Sequence, residues 1–137
     1  MIVVIRISGL VEVPEKINET LFRIRLRRKY STTLLTETEE NLALLKKVRD
    51  YVAYGKIDSE TLRLLIEKRA VFRDKKKNPE EIISLLESKG LKAAGIKPFF
   101  RLHPPRGGID SKIHFGKKKG VLGDNGLKIN ELIRRML

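Results

Sequence analysis

The sequence predicts a small α+β sandwich in the order β-α-β-α, two inserted helices, β, basic loop, α. Three observations carry that expectation. Apolar and β-branched residues run unbroken on both faces of Ile2–Ser8 except at Arg6, as in a central buried strand. Apolar residues then recur at helical spacing in several separate stretches, each opened by a helix-start signal. Glycines and prolines finally crowd Pro104–Leu127, where the apolar pattern lapses. Three strands interleaved with helices suggest a sheet covered on one face. At 137 residues with 41% hydrophobic content, the chain fits one domain with a real core.

After Gly9, Pro14 suits the first turn of a helix, where a missing N–H is harmless. Ile17, Leu21 and Ile24 form its core stripe, with Arg28 continuing the spacing. Phe22 and Leu26 lie off that stripe, which suggests cover by the C-terminal tail. Ser31–Thr36 is short and Thr-rich, a second strand. A second helix starts near Thr38, with Glu39 and Glu40 suited to its dipole. Leu44, Leu45, Val48, Tyr51 and Val52 line one face of it, and Gly55 ends it. Asp58 can cap a third helix that buries Leu62, Leu65 and Ile66. Asn78-Pro79-Glu80-Glu81 opens a fourth, closed by Gly90. Pro98–His103 is expected to be the third strand, with Phe100 and Leu102 facing inward. Irregular backbone follows to Leu127, and Ile129, Leu132, Ile133 and Met136 mark a short terminal helix. The expected segments are a βαβα core at 1–57, inserted helices at 58–95, and the third strand, basic loop and last helix at 96–137.

Charge speaks to function. Thirty Lys and Arg against 17 Asp and Glu give a net +13, self-repulsion that a polyanionic partner would explain. Nucleic acid is favoured over an anionic membrane, because no stretch reads as a basic amphipathic anchor. The apolar start is too short to span a bilayer and lacks a signal peptide's charged lead and cleavage site. Without cysteine there is no disulfide or thiolate metal site.

The cations gather in two places. Arg23, Arg25, Arg27, Arg28 and Lys29 put five positive charges in seven residues, with no acid among them. On the first helix, Arg23 and Arg27 would share one flank and Arg25 and Lys29 the other. Cations belong in a helix's last turn, but that benefit saturates within the turn, so phosphate contact is the better reading. The second cluster is Arg101, Arg106, Lys112, Lys117, Lys118 and Lys119, opposed by Asp110 alone. Its glycines allow close backbone approach, and its place before an ordered helix argues against a loose linker. Phe99, Arg101 and His103 alternate on the strand face opposite Phe100 and Leu102. Stacking on bases and ordinary packing both remain open there. Gly120, Gly123 and Gly126 follow no strand and precede no G-K-[ST], so no nucleotide loop is formed. No Ser, His and Asp arrangement looks activated. No cofactor, no metal and no catalytic residue is expected; the chain does not read as an enzyme.

Four ordered motifs carry a family resemblance. Phe99-Phe100 followed by Arg101-Leu-His-Pro-Pro-Arg-Gly-Gly108 resembles the hallmark of the archaeal and eukaryotic branch of large-subunit ribosomal protein thirty (protein seven in eukaryotes). Ile129–Met136 is similar to that branch's ending, Lys47–Val52 with Tyr54–Ile57 to its second helix and exit, and Thr20–Arg28 to its first helix. Ser8 stands where a basic residue is common, Tyr30 where Asn is usual, Glu37 in place of a proline, and Ala43 and Ala70 replace glycines. The bacterial form lacks the inserted helices and tail, so the resemblance is to the archaeal version. The resemblance implies a β-α-β-α-β core with a three-stranded antiparallel sheet, tending toward ferredoxin-like. It also implies a structural constituent of the large subunit, working in the cytoplasm on large-subunit rRNA, with 5S rRNA nearby and other ribosomal proteins as neighbours. A free-standing RNA-binding or RNA-processing factor would explain the charge equally well.

Overall fold

The structure, a computed structural model, describes residues 2–9, 13–69, 100–116 and 120–136. Its strands are β1 (Ile2–Arg6), β2 (Ser31–Leu35), β3 (Val52–Lys56), β4 (Phe100–Arg101), β5 (Asp110–His114) and β6 (Gly120–Asp124). Its helices are α1 (Glu15–Arg23), α2 (Glu39–Val48), α3 (Ser59–Arg69) and α4 (Ile129–Met136), the last entered through a 3-10 turn at Gly126–Lys128. The class is α+β, as expected.

β1 lies inside a six-stranded sheet of order β4-β2-β1-β3-β6-β5. It pairs antiparallel with both neighbours, Ile2 opposite Leu35 and Lys56, and Ile5 opposite Thr32 and Ala53. Period-2 alternation sends its side chains into two cores. Val3, Ile5 and Ile7 pack with Phe100 and the apolar faces of α3 and α4. Ile2 and Val4 pack with Leu21, Leu26, Leu45 and Val48 beneath α1 and α2. The sheet is therefore covered on both faces, not one, which is why β1 is apolar throughout.

Capping chemistry sets the helix starts. Thr38 Oγ1 accepts from the Asn41 N–H at 3.2 Å, and Asp58 Oδ1 accepts from the Thr61 N–H at 2.7 Å. The second helix, however, stops at Val48 instead of running to Gly55. The Tyr51 N–H donates back to the Val48 carbonyl at 2.9 Å, a turn, and Val52–Lys56 becomes the third strand of the antiparallel core. β-branched and aromatic residues there favour extended backbone. Gly55 serves close approach, because a Cβ would collide with the Gly126 carbonyl and sit 2.9 Å from Ile129 Cγ2.

The expected strand Pro98–His103 is thus not the third core strand. Among the described residues it contributes the two-residue edge strand β4, paired with β2, with Phe100 and Leu102 inward as anticipated. Nor is Pro104–Leu127 irregular throughout. β5 and β6 lie within it as a parallel pair, and β6 runs parallel to β3. Sparse apolar residues concealed them. The helix expected from Asn78 to Gly90 lies outside the described residues.

Candidate nucleic-acid interface

The first basic cluster is a loop and not two helix flanks. α1 ends at Arg23. The Arg25 N–H then donates to the Phe22 carbonyl at 3.1 Å and the Leu26 N–H to the Leu21 carbonyl at 2.9 Å. This pair of reversed bonds is a Schellman ending, completed by the packing of Leu26 with Leu21 in the core. Leu26 is therefore fully buried under α1 and α2, not under the C-terminal tail, and Phe22 is left 42% exposed. The turn demands a positive φ, and Arg25 adopts 68° where glycine is the usual occupant.

Buried Arg6 braces that loop. Its guanidinium donates to the carbonyls of Leu26 (2.8 Å), Ser8 (3.0 Å) and Gly9 (3.1 Å), and to Asn18 Oδ1 (2.7 Å). All four acceptors are neutral, and desolvation lowers the Arg6 pKa from its ordinary value. At the loop's far end Tyr30, at φ 65°, donates its N–H to the Arg6 carbonyl at 2.6 Å. Asn tolerates such a φ better than Tyr does, which gives physical meaning to Tyr30 as a departure.

The same loop meets the second cluster. The Tyr30 carbonyl accepts from the Leu102 N–H at 3.2 Å, and Ser31 lies opposite Arg101 across β2 and β4. Residues 103–108 are then fixed to the end of α4. The Met136 carbonyl accepts from the His103 N–H at 2.9 Å and the Arg135 carbonyl from the Arg106 N–H at 3.0 Å. Arg135 Nε donates to the Arg106 carbonyl at 2.8 Å, and its Nη2 to the Gly108 carbonyl. Gly107 and Gly108 adopt φ of 79° and 73°.

One end of the sheet therefore gathers Arg25, Arg27, Arg28, Lys29, Arg101, His103 and Arg106, all exposed. Arg23 is exposed just before them. Lys29 Nζ stands 5.1 Å from the Tyr30 ring centroid, a cation–π contact. α2 also finishes at this end with Lys46, Lys47 and Arg49, leading to Tyr51, whose carbonyl accepts from Ile7 and Ser8. Lys112 and His114 lie on the β5 backbone, their side chains outside the described structure, and Lys117, Lys118 and Lys119 lie outside the described residues.

Sequence reasoning missed Arg6, which looked like an interruption in a strand, and Arg135, which it did not single out. For Arg6 a signal existed: a cation amid a two-faced apolar strand must find acceptors when buried. Among the described residues no group of His, Cys, Asp or Glu could hold a metal ion, and no helix is long and apolar enough to cross a membrane.

Comparison with known proteins bears on this arrangement. The family model described as Ribosomal protein L30p/L7e matches residues 2–52. The chain is 37% identical over 153 residues to Large ribosomal subunit protein uL30 of Archaeoglobus fulgidus, covering 99% of each. It is 38% identical over 154 residues to the protein of that name in Methanococcus maripaludis, covering 98% of this chain and 97% of the relative. The Thermoplasma acidophilum protein is 36% identical over 153 residues, with 100% and 93% covered.

Proposed function

Because the chain belongs to the ribosomal protein L30p/L7e family, we propose that it is a structural constituent of the large ribosomal subunit that holds folded rRNA through its basic sheet end. The observation that carries this reading is the meeting of two basic clusters, distant in sequence, through the Leu102 N–H to Tyr30 carbonyl bond. Arg23, Arg25, Arg27, Arg28 and Lys29 hold one RNA segment. Arg101, His103, Arg106, Lys112 and Lys117 to Lys119 hold another. The role is structural and not catalytic, exercised in the cytoplasm within the ribosome, with 5S rRNA nearby and other large-subunit proteins as neighbours.

A-form RNA hides its base edges in a deep, narrow groove, so the contacts fall on phosphates and 2′-hydroxyls. A guanidinium offers a planar fork of donors suited to phosphate oxygens. Neutralising phosphates releases counterions, so affinity falls with salt by a log–log slope of roughly 0.7 to 0.9 per contact. The test is co-sedimentation of the chain with large subunits through a high-salt sucrose cushion, and loss of the chain from washed particles overturns the reading. Replacing Lys117, Lys118 and Lys119 by Ala flattens the salt slope, and an unchanged slope removes those three from the contact set.

A further inference from the structure

Between α4 and the β5–β6 pair lies a cleft of about 420 Å³, lined by Phe115, Val121, Asn125, Lys128, Leu132 and Arg135, with Arg106 and Glu131 also in its wall. That volume falls in the range of pockets that enclose small organic groups. We propose that this cleft receives one extruded nucleobase of single-stranded RNA and favours bases bearing an exocyclic amino group. The inference rests on the RNA-binding reading above and adds to it a base-contacting site distinct from the phosphate contacts.

Three features support it. Phe115 is 42% exposed, an aromatic left open beside the buried apolar residues Val121 and Leu132. Its backbone is held by the bond from its N–H to the Leu122 carbonyl at 2.9 Å, and Gly116 turns away at φ 100°. A fixed, half-open ring is a stacking platform, since every base presents a π face.

Asn125 supplies the selectivity. It is 96% buried (4% exposed), and its Nδ2 donates to the carbonyls of Val121 (2.7 Å) and Gly123 (3.0 Å). With both amide hydrogens committed, the orientation of the group is set, and Oδ1 has no donor among the described residues. An acceptor without a donor in a cleft wall favours an amino group, as on adenine or cytosine. Uracil offers N3–H between two carbonyl oxygens, which oppose such an acceptor.

Charge favours RNA over the apolar side chain of a protein as the occupant. Arg106, Lys128 and Arg135 stand at the cleft, and Lys128 Nζ lies 3.7 Å from Glu131 Oε1, offsetting the single acid in the lining. Phosphates on either side of the inserted base meet a net positive rim.

The test uses the full chain with octamers of adenylate and of uridylate, and an adenylate octamer carrying 2-aminopurine at its centre. Binding should change the 2-aminopurine fluorescence, and oligoadenylate should bind more tightly than oligouridylate. Phe115→Ala should abolish the fluorescence change and weaken oligoadenylate binding roughly 10- to 100-fold, while Phe115→Trp preserves both. Thermal unfolding of each variant verifies that the half-exposed site tolerates the change. Equal affinity for the two octamers overturns the selectivity. A Phe115→Ala chain that binds RNA as the parent does overturns the base pocket and leaves the phosphate-binding reading standing. If that variant instead loses crosslinks to a neighbouring ribosomal protein alone, the occupant is protein and the inference fails. Absence of salt-sensitive RNA binding by the parent chain defeats both readings at once.

Discussion

The two ends of the sheet are built from the same strands and helices yet differ in how their charges are partnered. At one end, β2 runs out and α2 begins with Glu39 and Glu40, while β3 leads to Asp58 at the start of α3. Cations there are matched: Lys56 lies 3.7 Å from Glu37, and Arg134 lies 3.9 Å from Asp58 and 3.5 Å from Glu60. At the other end, Arg23, Arg25, Arg27, Arg28 and Lys29 form no ion pair with any described residue. Helix dipoles account for acids at starts and cations at finishes, but only within a turn. The loop charges lie beyond that reach. The comparison separates cations paired within the fold from loop cations that form no ion pair with any described residue.

The largest effect on that contrast should come from Arg6. Arg6→Met removes four hydrogen bonds and leaves buried carbonyls unmatched, so urea unfolding should show a loss of about 3 kcal/mol or more. A variant as stable as the parent would show that the loop needs no such brace. Next, replacing Arg25, Arg27, Arg28 and Lys29 together by Ala should lower the salt slope of RNA binding by roughly 3, four contacts at about 0.7 to 0.9 each. The matching change at the other end, Glu39 and Glu40 to Gln, should leave that slope untouched. Equal responses would erase the distinction between the ends.

Asp58 gives a smaller, purely structural effect. Asp58→Ala removes the cap of α3 and should cost about 1 kcal/mol at neutral pH, with RNA affinity unchanged. Hydrogen bonds from Thr61 chiefly hold the Asp58 carboxyl below its ordinary pKa. A depressed folded value stabilises the fold above the unfolded pKa of about 3.9 and fades as pH falls through the folded one. The acid limb of the stability curve below about pH 4 should therefore be shallower in the variant. The smallest effect is also the most telling. Arg25→Gly relieves a left-handed conformation and should stabilise the chain by up to about 1 kcal/mol in thermal unfolding. It should nonetheless weaken RNA binding, because strain at this position is tolerated for the side chain it presents.

Where sequence periodicity and capping chemistry agree, the fold was legible: β1, the helix start near Thr38, the Asp58 cap and the stripe of α4 all stand as read. Errors arose where a local rule competed with a distant contact. Gly55 looked like a helix stop, but its cause is the Gly126 carbonyl, 71 positions away. Arg25 concealed a turn that glycine would have announced. Both basic clusters could be seen in the sequence, but their meeting could not, since it depends on pairing between β2 and a two-residue strand. The cleft beside Phe115 was likewise invisible, because β5 and β6 carry too few apolar residues to announce themselves.

The bond from Leu102 to Tyr30 spans more than seventy positions, and the carbonyls that fix His103 and Arg106 belong to α4, made last of the described elements. Chains emerge N-terminus first, and contacts of long sequence separation form late. A nascent chain thus displays its arginine loop well before the opposing half exists to complete the surface. The surface proposed to hold RNA is therefore complete only once α4 has folded against residues 103–108.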